Sequence, residues 1–124
     1  MIDESLKEKI KLLFKEKKFS KVLDLADKIH PENRPAGLEN IIGISKYNSN
    51  SLSSKDLEEA LSCFERAFLK EKKSIHGLNG LMNLIKVGVK VSSVSNNFSS
   101  FLHRASEHYL GVQAEFRKND EFLE

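Results

Sequence analysis

Cys63 is the only cysteine in the 124 residues, so no disulfide can close within the chain. A lone thiol suits a reducing compartment, and a cytoplasmic location is the expectation. Tryptophan is absent, and only two prolines and six glycines interrupt the sequence, which excludes collagen-like and Pro/Gly-rich low-complexity chains. No apolar run approaches the ~20 residues needed to span a bilayer, and no membrane partner is expected. The opening residues 1–9 lack an apolar h-region, so no secretory signal is expected. A formal net charge of +2 is too small to point to nucleic acid, which is not expected as a partner. Sustained period-two alternation is missing, so no sheet is expected. Only residues 87–91 (Val-Gly-Val-Lys-Val) tempt toward a strand, with nothing else to pair with. A two-domain enzyme, with one domain for a cofactor and one for a substrate, does not fit this length.

What is present is helical periodicity. Hydrophobic residues at 40% suffice for a core, and charged residues at 31% for a solvated surface. Leu6, Ile10, Leu13 and Phe14 fall on one helical face, with Lys7, Lys9, Lys11 and Lys15 between them. Phe19, Val22, Leu23, Ala26 and Ile29 form a second stripe, which His30-Pro31 should end because a residue before proline is pushed out of the α region. Pro35 fits the first turn of a third helix bearing Leu38, Ile41 and Ile42. The polar stretch 48–54 reads as a loop, and Ser53 with Asp56 has capping-box spacing. A fourth helix carries Leu57, Ala60, Leu61, Phe64, Ala67 and Phe68. Ser74 can cap a fifth, with Leu78, Leu81, Leu84 and Ile85, which Gly88 should end. Val94, Phe98, Phe101, Leu102, Ala105, Tyr109, Val112 and Phe116 predict one long final helix from about Ser92 to about Lys118. A break near Leu110–Gly111 is the alternative.

The even-numbered helices repeat one spacing. Val22/Ala26/Ile29, Ala60/Phe64/Ala67 and Val94/Phe98/Phe101 each step i, i+4, i+7. The middle set, a small residue, an aromatic and a small residue, resembles the second helix of a tetratricopeptide repeat. Ile42-Gly43 looks like that family's Leu-Gly pair, with the expected tyrosine displaced by one residue to Tyr47. The resemblance covers about residues 4–102 as degenerate repeats at about 4–34, 35–73 and 74–102, with a C-terminal helix extension to about 118. It implies an all-α fold, a helical-repeat (TPR-like) α-solenoid of about three helix pairs in a single domain over 1–124. An unrelated helical bundle is the alternative. Each pair buries one face by itself, so neighbours must stack to complete a core.

The same resemblance implies a concave groove, lined by the first helix of each repeat, that takes a protein or peptide segment. The residues it would present are Lys7, Lys11 and Lys15, then Asn40, Ile44 and Tyr47, then His76, Asn79, Asn83 and Lys86. Asn40 and Asn79 occupy one step in consecutive repeats, and paired amides could hold a peptide backbone. The lysines favour an acidic ligand. The carboxylate-clamp subfamily is not expected, because only Lys7 falls at a matching step, while Lys11, Ile41, His76 and Gly80 hold the other places.

No catalytic role and no cofactor are expected. His103 and Glu107 lie one turn apart without an evident third metal ligand, and Cys63 sits within a core helix. Apolar residues continue past the last repeat, at Tyr109, Val112 and Phe116. That half must fold back as a cap, pair with a second copy as a homodimer, or dock on something else. A second expectation of a different class rests on Asn40-Ile41-Ile42-Gly43. This run looks like the N-terminal modules of bacterial sulfo-, glycosyl- or methyltransferases, which would make the chain a recognition arm without its catalytic domain.

Overall fold

A computed structural model of the protein describes residues 4–49, 53–92 and 98–123, with side chains as far as Glu115. Six helices follow in order: α1 (Glu4–Lys15), α2 (Phe19–Ala26), α3 (Ala36–Tyr47), α4 (Ser54–Lys70), α5 (Ile75–Ser92) and α6 (Ser99–Leu123). A short 3-10 turn, Pro31–Asn33, separates α2 from α3. The described residues contain no strand, and residues 87–91 are helical.

Local chemistry sets most helix ends. Ser53 accepts from the Asp56 N–H at 3.1 Å, and the Asp56 carboxylate accepts from the Ser53 N–H, completing the expected capping box of α4. Ser74 accepts from the Gly77 N–H at 3.2 Å ahead of α5. At the end of α1, Lys17 adopts φ 60°, the left-handed position usually given to glycine. Lys18 N–H then reaches back to the Leu13 carbonyl and Lys17 N–H to that of Phe14, both at 2.9 Å. That turn brings Phe19 against Phe14, edge to face with centroids 6.2 Å apart.

Three boundaries differ from the sequence expectation. The second helix ends at Ala26 rather than at His30-Pro31. Lys28 and Ile29 tighten into three-residue bonds to Leu25 and Ala26, and the Arg34 guanidinium donates to the carbonyls of Ala26 and Ile29, both at 3.1 Å. The fifth helix passes through Gly88 to Ser92. Gly88 lies where a Cβ would come within 3.0 Å of Leu102, so it permits contact with α6 instead of ending α5. The last helix begins at Ser99, not near Ser92, and it is continuous through Gly111. Helix α5 itself takes Val91 and Ser92, so the position where the final helix was expected to start belongs to the preceding one. Val94 lies outside the described residues.

Each helix packs on its neighbours in the chain, and α3 also stands beside both α1 and α5. The core has two parts. Ile10, Val22, Ala26, Ile29, Leu38 and Ile42 bring α1, α2 and α3 together, and Cys63 joins them from α4. Ala60, Leu61, Phe64, Phe68, Leu81, Leu84, Phe98 and Phe101 join α4 to α5 and α6. Adjacent positions on α4 therefore serve different cores. Glycines let the helices close up: a Cβ on Gly43 would lie 2.5 Å from the Phe64 ring, and one on Gly80 2.7 Å from the Phe64 carbonyl.

Candidate functional site

The three odd-numbered helices turn a shared face to solvent. Lys7, Lys11 and Phe14 on α1, Gly37, Asn40, Ile41 and Ile44 on α3, and His76, Asn79, Met82, Asn83 and Lys86 on α5 border a concavity of about 700 Å³. Steps of three and four residues keep each set on one face of its helix. The structure thus brings together eight of the ten groove residues expected from the sequence: Lys7, Lys11, Asn40, Ile44, His76, Asn79, Asn83 and Lys86. Lys15 is exposed near the end of α1 and lies outside the lining. Tyr47 is the other exception. It packs half-buried against the α4–α5 core, where its ring area adds to apolar burial, and the concavity ends at Ile44.

The two asparagines are not equivalent. Asn79 is exposed, whereas Asn40 is buried and donates from Nδ2 to the His76 carbonyl at 2.7 Å, fastening α3 to α5. The Asn40 Oδ1 is buried and has no partner among the described residues. The expected amide pair across α3 and α5 is therefore replaced by one structural amide and one available amide. Glu71 is the only acidic residue on the lining, against Lys7, Lys11 and Lys86. The concavity is electropositive, with an apolar floor at Phe14, Ile41 and Ile44.

Behind this face lies a charge cluster that the sequence reading missed. Glu39 is fully buried in α3 and accepts from Arg66 at 2.6 Å and Lys70 at 3.2 Å, with Arg34 at 3.7 Å. Lys70 also donates to the Pro31 and Arg34 carbonyls, both at 2.6 Å. One carboxylate thereby ties the start of α3 to α4 and to the turn after α2. The position of Glu39 on the buried side of α3, three residues before Ile42, was a usable signal. Its three cations come from separate elements, and no spacing announces them. Cys63 lies beside this cluster, 3.3 Å from an Arg66 nitrogen. Burial, aided by the Glu39 charge, pushes its thiol up to about 11 against the opposing pull of Arg66, so it stays protonated and shielded.

On the opposite side, Glu65 of α4 accepts a bidentate pair from Arg104 and lies 3.0 Å from His108 Nε2, both on α6. Partial burial opposes its ionisation, but these hydrogen bonds and charges prevail and hold its carboxyl below the usual range. Arg104 stacks 4.6 Å over the Phe101 ring. His103 and Glu107 form an exposed pair 3.1 Å apart, and the described residues hold no group of three metal-ligating side chains.

Of the residues expected to mediate self-association, Tyr109 is exposed. Val112 is half-buried against the core and borders a second cleft of about 540 Å³. The Phe116 side chain lies outside those described. Among the described residues no helix is long and apolar enough to cross a membrane. No protein-family model matches the chain, and no curated protein or solved structure matches it either.

Proposed function

We propose that the protein is a non-catalytic, tetratricopeptide-like binding module that holds an acidic, partly apolar peptide segment of another protein in the concavity of α1, α3 and α5. The observation that carries this reading is the lining itself: three lysines against one glutamate, around an apolar floor, on a wall formed by α1, α3 and α5. An extended acidic segment gains Coulomb attraction from Lys7, Lys11 and Lys86, and buries alternate apolar side chains against Phe14, Ile41 and Ile44. Asn79 and Asn83 offer donors and acceptors to a peptide backbone. The protonated, shielded Cys63 supports a role without nucleophilic chemistry, and a lone thiol suits a reducing cytoplasm.

The test is fluorescence anisotropy with labelled peptides rich in Asp, Glu and Leu, compared with basic peptides of the same apolar content. Acidic peptides should bind, and binding should weaken with salt. The triple variant Lys7→Glu, Lys11→Glu, Lys86→Glu should abolish it, with an unchanged far-ultraviolet spectrum. Equal affinity of the variant and the native protein for acidic peptides, or a preference for basic ones, would overturn the reading.

A further inference from the structure

The second cleft opens where the α4–α5 turn faces the middle of α6. Phe68, Leu78 and Val112 form its apolar part. Its charged rim is mixed: Lys72 and Lys73 on one wall, Glu107 and Glu115 on the other. Among the described residues Lys72, Lys73 and Glu115 enter no ion pair, while Glu107 meets only exposed His103. Large exposed apolar side chains gather next to this lining in the chain. Leu69 follows Phe68, Ile75 lies one turn before Leu78, and Tyr109 and Leu110 sit between His108 and Gly111. Past Val112, α6 continues to Leu123, and of its described residues from Tyr109 to Glu115 only Val112 and Gln113 are not exposed.

A surface with an apolar centre and both signs of charge on separate walls is complementary to itself when turned about a two-fold axis. Each copy then offers its lysine wall to the partner's glutamates and receives the reverse. We propose that two copies of this chain associate through this end, with Lys72 and Lys73 of each facing Glu107 and Glu115 of the other, and with Leu110 covered. The peptide-binding concavity takes no part in this contact, since the two linings share no residue.

Charge exchange tests it directly. Sedimentation velocity across a micromolar-to-millimolar concentration series should find native protein approaching twice the 14.1 kDa chain mass. Two variants are made, one Lys72→Glu, Lys73→Glu and the other Glu107→Lys, Glu115→Lys. All four side chains are exposed, so both variants should fold as the native chain does. Each alone should dimerise at least about tenfold more weakly, because like charges then face one another. Mixed in equal amounts they should recover the dimer, since both contacts become attractive again. Leu110→Glu should also shift the chain to monomer. Native protein that stays monomeric throughout, charge variants that dimerise as native, or a mixture that fails to recover would each overturn the proposal.

Discussion

A single methyl group at Gly80 tests the packing of α4 on α5. A Cβ there would lie 2.7 Å from the Phe64 carbonyl oxygen, 2.8 Å from the Ala67 Cβ and 3.1 Å from the Phe68 nitrogen. Two of the three atoms are main chain, and the third is fixed to it, so no rotamer change relieves the clash. Restoring ordinary contact would require the helices to part by several tenths of an ångström along an interface that also holds Leu81 and Leu84. Overpacking of this kind costs about 1–3 kcal/mol, and the better helix propensity of alanine returns about 1 kcal/mol. With no side chain free to yield, we expect Gly80→Ala to destabilise by about 1–2 kcal/mol, or about 4–8 °C in Tm for a domain of this size. Gly111→Ala is the control. Gly111 is exposed in the interior of α6 with no atom within 4 Å of a built Cβ. Only the helix gain applies, about 0.5–1 kcal/mol of stabilisation. Urea titrations followed at 222 nm, at low micromolar concentration so that self-association does not contribute, should give shifts of opposite sign at unchanged slope. A Gly80→Ala protein as stable as the native one would refute the close approach of α4 and α5. Destabilisation by Gly111→Ala would refute a continuous α6.

Cys63 should react with a thiol reagent at pH 8 more than about a hundredfold more slowly in native protein than in urea. Its folded value of about 11, against 9.0 for a free thiol, leaves that much less thiolate even before shielding is counted; similar rates in the two states would show the thiol to be accessible. Glu65→Gln should destabilise by about 1–2 kcal/mol at pH 7, since charge-assisted hydrogen bonds to Arg104 and His108 are lost. Because the folded carboxyl titrates below 4.5, its contribution is complete above that pH and disappears as pH falls through the folded value. The difference in Tm between native and variant should therefore close in acid, and a difference that stays constant from pH 7 to pH 3 would contradict the Glu65 pairing.

The apolar stripes were legible because burial imposes a 3.6-residue period on each helix, and the solvent-facing steps of α1, α3 and α5 could be read from the same rule. That is why Lys7, Lys11, His76, Asn79, Asn83 and Lys86 meet around one concavity. Helix ends were less legible. Arg34 caps α2 from eight residues beyond its last carbonyl, and Gly88 serves an approach to Leu102 although it has the form of a stop. Both depend on contacts distant in sequence. Asn40 and Asn79 share a step, yet the distance between α3 and α5 gives one of them a neighbour's carbonyl and leaves the other in water. The Glu39 cluster was hidden for the same reason: its carboxylate lies on a readable face, but its cations converge only after folding.

The double duty of α4 limits how this architecture can be shortened or extended. Cys63 completes the core of the first three helices while Phe64, the next residue, anchors the core of the last three. A cut between α3 and α4 leaves the N-terminal half without the wall that Cys63 supplies, and a cut between α4 and α5 strips the cover from Phe64. Insertion of a further helix pair beside α4 would have to recreate both faces at once. The six helices therefore hold together through one shared partition, since neither core closes without α4.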